Sequence, residues 1–169
     1  MPMENQGIDN QRYRVIPRTL IFLINKCDQV LLLKGSQSKR LWSGLFNGIG
    51  GHIEKGEDIL QAACRELHEE TGLEGVDLHL CGQVMVDGPE QTGIALFVYK
   101  GICAADVGTL INSIEGELHW FDLTELNEIP LVEDLRVLLP KIVQYQVGDP
   151  IIVARSIYSK DGKLQVLFS

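Results

Sequence analysis

A glycine-rich approach running into an acid-crowded helix constrains this chain more than any other stretch. From Gly51 to Leu73 the sequence reads GHIEKGEDILQAACRELHEETGL: Gly51, five residues, Glu57, seven residues, Arg65-Glu66-Leu67, one residue, Glu69-Glu70, one residue, Gly72-Leu73. If each residue type fills roughly one position in fifteen, these fixed polar and glycine positions coincide on the order of once in 10^8 to 10^9 windows. Chance therefore does not explain the spacing. Asp58 to Thr71 contains no Pro or Gly, is long enough for about four turns, and is closed by Gly72, so a helix is predicted. Leu60, Ala63, Cys64 and Leu67 recur at i, i+3, i+4 and i+7 and predict one apolar stripe, with Glu66, Glu69 and Glu70 outside it.

Glu66 has Glu69 at i+3 and Glu70 at i+4, so the three carboxylates are neighbours, and each like-charge pair costs roughly 0.2–0.5 kcal/mol. Acid near a helix C-terminus also opposes the macrodipole. A solvated acidic face would carry that cost without return. A hard divalent cation turns the repulsion into binding energy, and Mg²⁺ commonly bridges one or two carboxylates to substrate phosphates. Arg65 is expected to pair with Glu57 and brace the loop against the helix.

These residues resemble the Nudix box, the signature of the Nudix hydrolases, with every position of the pattern filled. Weaker likeness extends across most of the chain. The resemblance implies a hydrolase, dependent on Mg²⁺ with Mn²⁺ as a substitute, that acts on a nucleoside diphosphate linked to another moiety. It also implies an α/β fold of the α+β type: an α/β/α sandwich with a mixed central sheet, a loop-helix-loop carrying the box, and a C-terminal β-hairpin. Residue by residue it implies Glu66 and Glu70 as the main metal ligands, with Glu69 and the carbonyl of Gly50 as further ones. Arg65 and Glu57 are outer participants, and Gly51 and Gly72 are structural members of the motif. A further acid is expected before a Trp-bearing strand, where Glu115 is the better candidate and Glu117 the reserve. The negative oxygens of a pyrophosphate repel hydroxide, so the site must neutralise them, orient water in line and lower its pKa. Glu69, Glu70 and the loop acid all stand open as the proton acceptor.

Asn47-Gly48-Ile49-Gly50-Gly51 resembles the approach to the box in the MutT-like and oxidised-purine-nucleotide triphosphatase branch. That resemblance implies that Asn47 hydrogen-bonds a purine edge, as amides do; capping its own loop is the alternative. Glu133 or Asp134 stands where that branch places a base-reading acid, although Leu131-Val132 replaces the aromatic usually found before it. Phe46 is either a stacking surface for the base or core. Pro89 points elsewhere, toward the ADP-ribose pyrophosphatases. The leading expectation is cleavage of a purine nucleoside triphosphate, ordinary or oxidised as in 8-oxo-dGTP, to the monophosphate and pyrophosphate. The alternatives are an ADP-ribose, nucleotide-sugar or dinucleoside polyphosphate pyrophosphatase, or a non-catalytic nucleotide-binding regulator. The regulator is disfavoured because a protein without turnover has no need of three mutually repelling glutamates.

At 169 residues and 45% hydrophobic the chain is expected to form a single domain over 13–169, with 1–12 as a frayed tail. A net charge of −8 without a basic run argues for a small-molecule nucleotide partner and against duplex nucleic acid. The polar start, the lack of an 18-residue apolar run and four scattered cysteines predict a cytoplasmic protein with no membrane partner, as a monomer or homodimer. Strands are predicted at Thr19–Asn25 and Gln29–Lys34 as a hairpin, and at Val76–Val86, Gly93–Lys100 and Leu118–Asp122. A helix over Val132–Tyr145 should be kinked or divided by Pro140. A last hairpin pairs Ile151–Tyr158 with Lys163–Phe168.

Overall fold

Thr19–Asn25 is apolar at nearly every position, the pattern of a strand covered on both faces. In the computed structural model it is the buried half of β1 (Arg14–Asn25). The structure describes residues 11–36, 43–103, 116–159 and 161–169, so most of the expected tail lies outside the described residues. Alternation along β1 divides the core. Leu20, Phe22 and Ile24 join one apolar cluster, while Ile21 and Leu23 join the other.

Asn25 closes the hairpin to β2 (Gln29–Gly35) by accepting the N–H groups of Cys27 at 2.9 Å and Gln29 at 3.0 Å through its Oδ1. On its other side β1 runs parallel to β5 (Thr92–Cys103), in register from Arg14 against Thr92 to Asn25 against Cys103. β4 (Leu78–Asp87) pairs antiparallel with β5 and parallel with β7 (Ile152–Tyr158), and β8 (Leu164–Phe168) closes the C-terminal hairpin. β6 (Gly116–Asp122) lines the whole length of β2. The mixed sheet runs β3-β2-β1-β5-β4-β7-β8, with β3 being Phe46–Asn47.

β1 and β2 pair directly only at Leu23–Leu31 and Ile24–Val30 before they separate. The chain from Phe46 to His52 fills the opening, with Asn47 paired to Leu33 of β2, Ile49 bridged to Ile21 and His52 bridged to Arg18. That wedge positions the functional site.

Helix α1 (Ile59–Thr71) starts at a capping box, in which Asp58 Oδ1 accepts from Leu60 and Gln61 at 2.9 Å while Gln61 Oε1 accepts from the Asp58 N–H at 3.0 Å. It ends at Gly72, whose φ of 76° is the left-handed closure that glycine permits. The buried face differs from the predicted stripe. Leu60 is 45% exposed and Cys64 is exposed, whereas Ala62, Ala63, Leu67, Glu70 and Thr71 are buried. At about 100° per residue the buried face is turned by roughly 50° from the stripe, and the turn carries one carboxylate inward.

Helix α2 (Leu135–Gln144) packs through Leu135, Leu138, Leu139 and Ile142 against the other face of the sheet, which gives the sandwich. Pro140 does not divide it. Pro140 has no N–H for the preceding turn, but buried side chains on both sides of it hold the two halves in one cluster. Among the described residues no helix is long and apolar enough to cross a membrane.

Candidate active site

The wedge meets α1 at Gly50. Its N–H donates to Glu70 Oε2 at 3.0 Å, and Glu70 is only 2% exposed. The backbone here is locked to β1, with Thr19 N–H donating to Gly51 O at 2.9 Å and Ile21 N–H to Ile49 O at 2.7 Å. Gly50 has φ of 140°, and a Cβ on it would run into the Thr19 carbonyl. A Cβ on Gly51 would occupy the space of the Glu66 carboxylate. Gly51 therefore keeps room for the Glu66 carboxylate, and Gly50 lets the wedge lie close against β1.

Arg65 organises those acids. Its Nε donates to Glu57 Oε1 at 2.6 Å and its Nη2 to Glu57 Oε2 at 3.1 Å, a bidentate pair. Nη1 reaches Glu66 Oε1 at 2.9 Å and Glu69 Oε2 at 3.1 Å, and Nη2 also holds the carbonyl of His52 at 3.0 Å. The Glu57–Arg65 brace expected from the spacing is present. One guanidinium also offsets the crowding of Glu66 and Glu69. The hydrogen bond from Arg65 pulls the Glu57 carboxyl below its ordinary value, helped by the Glu54 N–H at 3.0 Å. Glu57 thus contributes stability that is present above its ordinary range and is lost as pH falls through the lowered value.

Glu57→Gln is expected to leave the fold in place but to lower kcat/KM by roughly 10- to 100-fold, the usual cost of losing an outer partner of a ligand set. Titrating the divalent ion checks this, since a looser acid cluster should need more of it.

Among the described residues, no three His, Cys, Asp or Glu side chains form a closed ion-sized cluster. The donors at hand nevertheless suit a hard cation. They are oxygens, one of them on a buried carboxylate, and Mg²⁺ is usually held by one or two carboxylates with water and substrate phosphate completing its shell. Glu115 lies outside the described residues. Glu117 sits on β6 opposite Lys34, with its carboxylate 3.5 Å from His119 Nε2.

The other end of the wedge opens into a cavity of about 240 Å³. Leu20, Leu45, Ile94 and Leu96 supply apolar wall, while Asn47, Glu133 and Asp134 supply polar groups. Phe46 N–H donates to Pro130 O at 2.8 Å and Val132 N–H to Phe46 O at 3.0 Å, which sets the two acids beside Asn47. Asn47 Oδ1 accepts the Gly48 N–H at 2.8 Å, so this residue both lines the cavity and caps its loop. Burial pushes the Asp134 carboxyl above its ordinary value, and neighbouring Glu133 adds to the effect. Phe46 is 7% exposed and packs edge-on against His119 and Phe121, with centroids 5.5 and 4.8 Å away. That is the core alternative for Phe46. Pro89 shapes the β4–β5 turn, its carbonyl accepting from Thr92 Oγ1 at 2.7 Å.

Sequence reasoning missed Arg18, which lines the cavity and donates through Nη2 to His52 Nε2 at 2.9 Å. The available signal was a charge at the i−2 position to Leu20 on the same strand face.

The NUDIX domain family model matches residues 15–142. The oxidized purine nucleoside triphosphate hydrolase of Mus musculus is 31% identical over 127 residues, 73% of this chain and 78% of that protein. NAD-capped RNA hydrolase NudC of Stutzerimonas stutzeri is 25% identical over 142 residues, 83% of this chain but 49% of its own length. Among solved structures, the MutT protein from Bacillus halodurans superposes with a TM-score of 0.74 at 25% identity, covering 92% of this chain and 98% of that one.

Proposed function

Because the chain belongs to the NUDIX family of hydrolases, enzymes acting on phosphoanhydrides, we propose that it converts a purine nucleoside triphosphate, ordinary or oxidised, to the monophosphate and pyrophosphate with Mg²⁺. The observation that carries this reading is the wedge itself. Six residues, Asn47 to His52, touch the base-sized cavity at one end and the Glu66–Glu70 acids at the other. The cavity is smaller than the roughly 300–1,000 Å³ that encloses a drug-sized ligand, so it admits a base and leaves the phosphates outside, toward the acids.

Glu66, Glu69 and Glu70, with the Gly50 carbonyl, are the residues to hold Mg²⁺. Bound there, the ion would neutralise phosphate charge and lower the pKa of the attacking water. Arg65 keeps Glu66 and Glu69 oriented, and the Gly50 N–H fixes one oxygen of Glu70. A carboxylate not saturated by the ion accepts the water's proton, a role open to Glu69, Glu70 or Glu115. At the far end, Asn47, Glu133 and Asp134 line the cavity and are the residues to read the base edge.

Comparing kcat/KM over 8-oxo-dGTP, dGTP, ADP-ribose and dinucleoside polyphosphates tests the reading. A triphosphate should lead, and a wide margin for ADP-ribose would overturn it. Asp134 carries a separate prediction, about stability. Its folded carboxyl holds a proton to higher pH than the unfolded one, so the folded state binds the extra proton between the two values and stability falls as pH rises through that window. Asp134→Asn is expected to flatten the fall, as measured by urea unfolding from about pH 4 to about pH 7.

A further inference from the structure

A second cavity, of about 550 Å³, opens between the sheet and the C-terminal end of α2. Register sets its floor. His79 of β4 stands directly across from Lys100 of β5, which brings two basic side chains to one face, and Ile102 follows two residues along on the same face. Val143 and Tyr145 at the end of α2, with Val147 beyond it, make the wall. None of the residues lining this cavity lines the one beside Asn47, so the two sites are separate.

Lys100 Nζ donates to the carbonyl of Val143 at 2.6 Å and to that of Tyr145 at 2.7 Å, groups that a helix end leaves open. An ammonium has three N–H donors, so the cap uses two and leaves one. No carboxylate among the described residues forms an ion pair with Lys100. Burial pulls its ammonium below the ordinary value. The neighbouring Cys81 thiol, pushed up to about 12 by burial, brings no charge at neutral pH, and Asp149 acts on Lys100 only from beyond ion-pair contact, its Oδ2 accepting the Gln146 N–H at 2.9 Å. A partly desolvated cation with a spare donor therefore lines a cavity that holds no counter-charge. The rim is apolar: Ile102 is 64% exposed and Val147 71%.

We infer that this cavity binds a small carboxylate with an apolar tail, the carboxylate on Lys100 and the tail against Ile102, Val143 and Val147. One spare donor suits one carboxylate oxygen, whereas a phosphate dianion calls for more donors than the site offers. The volume falls within the roughly 300–1,000 Å³ of small-molecule sites. Capping α2 explains two donors of Lys100 but neither the third nor the apolar rim.

The test is an amide chemical-shift titration of the whole chain, without Mg²⁺, using hexanoate, octanoate, acetate and hexan-1-ol. Hexanoate should shift Ile102 and Val147, and octanoate should bind roughly tenfold tighter for its two further CH₂ groups. Acetate lacks the tail and hexan-1-ol the charge, so each should bind at least about tenfold more weakly than hexanoate. Lys100→Met should weaken hexanoate by about tenfold or more. If that variant does not fold, Val147→Glu decides; it places a competing carboxylate at an exposed position and should weaken hexanoate at least about fivefold. Affinity unchanged in the variant that decides overturns the inference. So does equal binding of hexanoate and hexan-1-ol, which leaves an apolar pocket only, or of hexanoate and acetate, which leaves a bare ion site. Shifts centred on Asn47 and abolished by dGMP would put the carboxylate in the other cavity and overturn it too, as would no response to about 10 mM octanoate, where even a poorly efficient ligand of that size registers.

Discussion

Glu70→Gln is expected to lower kcat by roughly 10²- to 10⁴-fold, the range a proton-transferring group typically contributes. The glutamine oxygen can still accept the Gly50 N–H, which Glu70 Oε2 takes at 3.0 Å, so the wedge stays seated. What disappears is the negative charge, and with it a hard ligand and a candidate proton acceptor. Glu70 is buried on α1, so the amide also places an N–H₂ group in a covered site; a buried donor left unsatisfied costs about 1–3 kcal/mol. A thermal melt recorded beside the pyrophosphate assay separates the two effects. A folded Glu70→Gln protein with kcat within about twofold of wild type would remove Glu70 from the chemistry. If wild type and variant both bind nucleotide and neither turns it over, the regulator reading gains what the hydrolase reading loses.

The spacing of Glu57 and Arg65 already contained their bidentate pair, because the loop-to-helix turn and the reach of an arginine are local properties. The closure at Gly72 was legible for the same reason. The inward placement of Glu70 was not. An apolar stripe drawn through Leu60 and Cys64 assumes that a helix buries its most hydrophobic side, yet α1 is turned so that a carboxylate faces the wedge and receives a backbone N–H. Thr71 is buried with it, its hydroxyl donating to Leu67 O at 2.6 Å. Local periodicity cannot register a partner twenty residues away. The extension of β1 back to Arg14 was missed for a similar reason, since it rests on a parallel pairing with β5 nearly eighty residues downstream. Arg18 falls in that extension. Lying before the predicted strand Thr19–Asn25 it had no role, and only the pairing of β1 with β5 and with His52 brings it to the cavity.

Gly50→Ala is expected to lower the free energy of unfolding by roughly 2–6 kcal/mol, from a strained backbone conformation at about 1–3 kcal/mol and an overpacked contact of similar size. The contact decides the magnitude. The added Cβ meets the carbonyl of Thr19, which is strand backbone inside a sheet rather than a side chain able to turn away. Gly75 provides the comparison. Its φ of 68° is also left-handed, but nothing lies within 4 Å of where its Cβ would stand, so Gly75→Ala should cost only about 1 kcal/mol. Relief of the clash requires Gly50 to move off β1, which stretches the 3.0 Å bond to Glu70 and shifts the neighbouring Gly51 against Glu66. Activity at a temperature where the variant is still folded should therefore fall along with stability, and added Mg²⁺ should restore part of it. Equal unfolding costs for Gly50→Ala and Gly75→Ala in urea would mean that β1 does not press on the wedge. In that case the tight seat that aligns the cavity with the acids of α1 would not exist.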